Sequence, residues 1–120
     1  MEQINKIEIL GTVGNVRITE VGAIRMARVS VAVDTAAKNH EGCAVIETTW
    51  FNCILCGTDN GPDCFDDIRR GTRIHIVGRI RLETYTDITG RQSTAWEIIS
   101  PFGNYQITDG DNVRLEPQKA

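Results

Sequence analysis

Apolar and polar residues alternate with a period of two along several stretches of this chain, and almost nowhere do apolar residues recur at helical spacing. Ile7, Ile9 and nearby Leu10 open the first such stretch, which Gly11 and Gly14 interrupt where a bulge or sharp bend is expected. After a turn at Val21-Gly22, the run from Arg25 to Asp34 places Ala27, Val29, Val31 and Val33 on one face. Met26, Arg28, Ser30, Ala32 and Asp34 fall on the other, so one side of this strand is core and the other wet. The polar segment Ala37 to Gly42 reads as an exposed hairpin loop, and a third strand follows from Val45 to Cys56.

Gly57 to Gly71 is the one segment with helix signals: Pro62 suits a first turn, Asp63, Asp66 and Asp67 favour its N-terminal dipole, and Arg69 and Arg70 precede a terminating Gly71. Phe65 and Ile68, three apart, are spaced to plug the end of a barrel. The next strand, Thr72 to Tyr85, turns Ile74, Ile76, Gly78, Ile80 and Leu82 one way. Asp87-Ile88-Thr89-Gly90 is a hairpin turn into a fifth strand, Ser93 to Ile99. The expected fold is therefore all-β: a five-stranded OB-fold Greek-key barrel with one short helix between strands three and four. Tyr105 and Ile107 are packing candidates beyond it, so the barrel domain is expected over 1–108 and a short polar tail over 109–120.

Composition bounds this picture. A chain of 120 residues suffices for one modest core, and 41% hydrophobic with 24% charged residues is the composition of a folded domain. No apolar run approaches the roughly 20 residues that span a bilayer, and the start Met1-Glu2-Gln3-Ile4-Asn5-Lys6 is unlike a signal peptide, so a cytoplasmic address and no membrane partner are expected. Cys43, Cys53, Cys56 and Cys64 are then expected as reduced thiols. The net charge of −3 argues mildly against a phosphate-rich partner, but its distribution matters more than its sum. Between Ile68 and Arg91 six arginines (Arg69, Arg70, Arg73, Arg79, Arg81, Arg91) meet only Glu83 and Asp87, while Asp59, Asp63, Asp66 and Asp67 crowd the segment before.

The outer face of the fourth strand carries Arg73, His75, Val77, Arg79, Arg81, Glu83 and Tyr85, a cationic row with an aromatic at its end that can track phosphates. The same row also suits a solvated face that discourages edge pairing. Trp50 alternates with Asn52, Ile54 and Cys56 against Phe51, Cys53 and Leu55, which sets it on the wetter face; a core or subunit-contact role is the other reading. Cys53 and Cys56 have a Cys-x-x-Cys spacing, but three apart on a strand they point to opposite faces and cannot chelate one ion. His75 has no nucleophile or paired carboxylate near it in sequence, His40 lies in the polar loop, and no phosphate-binding glycine loop appears. No enzymatic activity, metal or cofactor is expected.

Three segments carry a family resemblance: Asn5-Lys6-Ile7-Glu8-Ile9-Leu10-Gly11, Thr49-Trp50-Phe51-Asn52-Cys53-Ile54-Leu55-Cys56-Gly57, and Gly71-Thr72-Arg73-Ile74-His75-Ile76-Val77-Gly78-Arg79-Ile80-Arg81. In order, and continued by Tyr85-Thr86-Asp87 and Gly90, they resemble bacterial single-stranded DNA-binding proteins over roughly Asn5 to Ile107. The resemblance implies a homotetramer, with a dimer as the alternative, whose outer strand faces bind single-stranded DNA without sequence preference in replication, recombination or repair. Stacking aromatics and basic residues would hold the strand. On that basis the nucleic-acid-binding residues are expected to be Trp50, Tyr85, Arg73, Arg79, Arg81, Arg28 and Arg91. Cys56 stands where the family commonly has a stacking phenylalanine, and Ala37 where many members have an aromatic, which leaves Trp96 or Phe51 to compensate. Phe51 replaces a histidine often found at the subunit contact. The ending Asn112 to Ala120 resembles no acidic, aromatic-tipped tail, so recruitment of other enzymes through one is not expected. The rival reading is an OB-fold accessory protein of the primosomal type that acts mainly through protein contacts.

Overall fold

The computed structural model describes residues 2–57, 65–101 and 103–108. Six strands run in order: β1 (Ile7–Val21), β2 (Ile24–Lys38), β3 (Ala44–Cys56), β4 (Arg73–Thr86), β5 (Gln92–Ser100) and β6 (Tyr105–Thr108). They hydrogen-bond in the order β1-β2-β3-β5-β4-β6, and an additional β1–β4 pairing closes β1, β2, β3, β5 and β4 into a ring. All pairings are antiparallel except β3–β5, which is parallel and spans only Cys53–Leu55 against Ile98–Ser100. Closure removes the exposed sheet edges that an open arrangement of these strands leaves.

β1 and β4 each serve two neighbours. β1 gives Ile7–Thr12 to β4 and Thr12–Val21 to β2; β4 gives Arg73–Gly78 to β1 and Arg79–Thr86 to β5. At the crossover in β4 the backbones approach so closely that a Cβ on Gly78 would stand 2.3 Å from the Ile99 carbonyl oxygen, so only glycine fits there. In β1 the register shifts between Val13 and Asn15, the bulge expected at Gly14.

The inward row is the one that alternation predicts. Val13, Ala27, Val29, Val31, Cys53, Leu55, Ile74, Ile76 and Ile98 form one buried cluster. Burial in this apolar interior raises the Cys53 thiol pKa from 9.0 to about 12, because the thiolate is poorly solvated there. The helix expected over 57–71 is reduced among the described residues to a single 3-10 turn, Phe65–Asp67, and positions 58–64 lie outside them. Its plug role holds: Phe65 and Ile68 are buried, and Phe65 stacks on Tyr105 with ring centroids 5.9 Å apart. Tyr105 belongs to the short β6, which alternation did not single out as a strand, and its hydroxyl donates to the Cys56 carbonyl at 3.0 Å. The polar tail expected over 109–120 lies outside the described residues.

Candidate nucleic-acid interface

Pairing register shows which outward side chains become neighbours. Arg17 of β1 faces Arg28 of β2, which faces Ile54 of β3; Ile54 in turn pairs Ile99 of β5, and Ile99 pairs Arg79 of β4. The next rows are Asn15–Ser30–Asn52 across β1–β3 and Glu97–Arg81 across β5–β4. Because the strands curve, this outer face folds into an open groove of about 700 Å3. Arg17, Arg28, Ser30 and Asn52 line one side, and Glu83, Tyr85 and Glu97 line the other.

An adjoining cleft of about 450 Å3, lined by Trp50, Phe51, Ile80, Trp96 and Ile98, shares Asn52 and Glu97 with the groove, but Phe51, Ile80, Trp96 and Ile98 belong to the inward rows of β3, β4 and β5 rather than to the outer face. Beyond Cys53 and Ile98 the β2–β3 and β4–β5 hairpins no longer pair with each other, and Leu82, on the inward row there, is exposed. Three aromatics around groove and cleft are more than half exposed: Trp50 at 59%, Tyr85 at 51% and Trp96 at 65%.

Three of the four charged residues that line the groove, Arg28, Glu83 and Glu97, are ion-paired. Arg28 Nη1 donates to Glu97 Oε2 at 3.1 Å, while Arg81 Nη2 lies 3.2 Å from Glu83 Oε1 and 3.5 Å from Glu97 Oε1. Glu97 is 9% exposed, held under these arginines. The turn that carries Arg91 is tied by Asp87, whose carboxylate accepts from the Thr89 hydroxyl and from the backbone N–H groups of Thr89 and Arg91. Those bonds, the Thr89 hydroxyl first, hold the Asp87 pKa below its usual value.

Of the seven residues singled out from sequence, the structure brings Arg28 and Tyr85 into the groove lining, Arg81 against its Glu83 and Glu97, and Trp50 to the adjoining cleft. Arg79 is exposed in the row beyond Ile99 with no carboxylate partner among the described residues, and Arg91 is exposed in the turn at the tip of the β4–β5 hairpin. Arg73 is elsewhere. It sits on the β1–β4–β6 side, opposite Thr12 and Thr108, and donates to the Thr12 hydroxyl at 3.3 Å, because β4 changes neighbours at Gly78 and its two halves belong to different faces of the barrel. His75, on that same side, does have a carboxylate partner in space, Glu8 of the neighbouring β1.

Sequence reasoning passed over Arg17, Asn15, Asn52 and Glu97. Arg17 was hidden by the bulge: counted from Thr12 by strict alternation it falls inward, and the extra residue at Gly14 turns it out. Glu97 carried a signal, a lone carboxylate inside the apolar run Ala95-Trp96-Glu97-Ile98-Ile99, which in a strand calls for a charged partner across the sheet.

Comparison with known proteins agrees with this geometry. The model of the single-strand binding protein family matches residues 4–106. A single-stranded DNA-binding protein of Xanthomonas campestris pv. campestris is 27% identical over 100 residues, which cover 81% of this chain and 57% of that protein. One from Xanthomonas axonopodis pv. citri is 26% identical over 100 residues, covering 81% of this chain and 54% of the relative. The chain thus spans a little over half the length of these relatives. Among solved structures, a Plasmodium falciparum protein of this kind in complex with single-stranded DNA superposes with a TM-score of 0.75 at 20% identity, over 91% of this chain and 98% of that one. A deletion mutant of the Thermus aquaticus single-stranded DNA-binding protein gives 0.71 at 13% identity, over 89% of this chain and 51% of that one. These two likenesses establish the shared OB-type barrel.

Proposed function

Because the chain belongs to the single-strand binding protein family, we propose that it binds single-stranded DNA without sequence preference, in the groove on the outer face of its barrel and the cleft that adjoins it. The observation that carries this reading is the set of half-exposed rings, Tyr85 in the groove and Trp50 and Trp96 in the adjoining cleft, beside the arginines Arg17 and Arg28 that line the groove. Every base has a π face, so aromatic platforms hold a strand whatever its sequence, and arginines beside them meet the phosphates. Trp96 supplies a platform on β5 that stands in for the aromatics this chain lacks at Cys56 and Ala37. Arg28, Arg81 and Arg17 line the phosphate path, with Arg79 and Arg91 at its margins, and Arg73 contributes on the far side of the barrel only if a strand wraps around it. The protein acts as an oligomer, a tetramer by likeness to its family, in the cytoplasm. It protects or organises unwound strands in replication, recombination or repair, and performs no chemistry on them.

Titration with oligo-dT tests this. Tryptophan emission is expected to be quenched, with the quench reversed by salt. Trp50→Ala and Trp96→Ala are each expected to weaken binding by about 1–3 kcal/mol. No quench at low ionic strength from a folded protein overturns the reading. The apolar cleft walled by Phe51, Ile80 and Ile98 favours a second one, an accessory protein that works mainly through protein contacts; a dimer insensitive to oligo-dT supports it.

A further inference from the structure

The groove lining is electrically balanced: Arg17 and Arg28 are matched by Glu83 and Glu97. A surface built only to attract phosphate has no use for a carboxylate on its floor, yet Glu97 is there and is buried. Its two oxygens reach arginines from two different strands, Arg28 of β2 through Oε2 at 3.1 Å and Arg81 of β4 through Oε1 at 3.5 Å. The second contact lacks hydrogen-bond geometry, so Oε1 is a buried acceptor without a bonded donor. The arginine side chains are 49% and 45% exposed against 11% for Glu97, so they are reachable from solvent while the carboxylate lies beneath them. A carboxylate and a phosphodiester accept the same charge-assisted bonds from a guanidinium.

We infer that Glu97 is an internal stand-in for phosphate: it holds Arg28 and Arg81 in the empty groove, and an incoming phosphodiester must take Arg28 from it. The inference rests on the reading of this groove as the strand-binding surface. Its consequence is that Glu97 sets the affinity of the groove. A buried carboxylate that loses an arginine partner is left poorly compensated, so the exchange opposes binding by part of what the phosphate contact contributes.

The test is oligo-dT anisotropy across a salt series, on the full chain, with thermal melts of each variant alongside. Glu97→Gln is expected to bind roughly three- to tenfold tighter across the salt series, with the slope of log affinity against log salt unchanged because the same phosphates are met in both proteins. In an Arg28→Gln background the same substitution should lose most of its gain, because the arginine it releases is gone. A gain of the same size with and without Arg28 means that removing any nearby negative charge suffices, and overturns the inference. Should Glu97→Gln not fold, Glu97→Asp keeps the charge but withdraws it from Arg28 by one methylene. That variant is also expected to bind tighter, and an unchanged affinity overturns the inference. Wild-type protein that ignores oligo-dT at low salt overturns the groove reading and the inference with it; wild-type protein that binds, with Glu97→Gln binding no tighter, overturns the inference alone.

Discussion

The indole of Trp50 lies over the backbone of Gly14, so close that a Cβ on Gly14 would stand 2.6 Å from its Cζ3 and 2.9 Å from its Cη2. The two residues are on β3 and β1, with β2 between them, and the ring reaches across Ser30 and Ala32 to the bulge. One glycine therefore does two things: it lets β1 bulge, and it leaves room for the ring that serves as a stacking platform.

Gly14→Ala should for that reason act on binding more than on folding. The methyl group displaces the ring rather than the strand, since the atoms it meets first belong to a movable side chain. Oligo-dT affinity is expected to fall by about 1 kcal/mol, part of the value of one stacked base, with a smaller change in Tm. Trp50 emission and the titration midpoint measure the two effects; an unmoved spectrum with unchanged affinity would show the ring does not depend on this glycine.

At the closed end of the barrel the expectation is reversed. Phe65 is fully buried, stacks on Tyr105 and has the Arg25 guanidinium 5.5 Å from its ring centre, while Arg25 also bonds Asp66 at 3.0 Å. Phe65→Ala removes the plug and is expected to cost about 3–5 kcal/mol, a large part of the stability of a domain this size. Denaturant melts should register that loss, while the protein that remains folded keeps its oligo-dT affinity, because the plug is remote from the groove.

Cys53 makes stability depend on alkaline pH. Its folded pKa is raised from 9.0 to about 12 by burial, so its contribution is intact below about pH 9. Above that the unfolded chain releases the thiol proton and the folded one does not, so stability falls as pH rises toward about 12, by up to about 1.4 kcal/mol per pH unit. Urea midpoints compared at pH 8 and pH 10.5 should drop further for the wild type than for Cys53→Ala. Equal drops would mean the thiol is more solvated than its place between Val29 and Ile98 implies.

The barrel was legible because most of its strands are written in a period of two. Each inward residue from Ala27 to Val31 and from Ile74 to Ile76 is buried, and Phe65 and Ile68 plug the end as their spacing anticipates. Strand β6 was not legible, since Tyr105 to Thr108 is too short for alternation to register and is a strand only because β4 offers it an edge. Of the site, single side chains could be assigned a face wherever register ran unbroken, as for Arg28, Trp50 and Tyr85. The grouping failed where register breaks: the bulge at Gly14 hid Arg17, and the change of partners at Gly78 took Arg73 to the other side of the barrel.

Sequence alone thus determined which residues of the unbroken strands point inward and the order of strands that a barrel needs. The inward rows follow from local alternation, because successive side chains of a strand point to opposite faces. Tertiary structure alone decided which outward residues meet. Glu97, Arg28 and Arg81 stand on three different strands, and only closure of the ring brings a carboxylate under two arginines that lie far from each other along the chain.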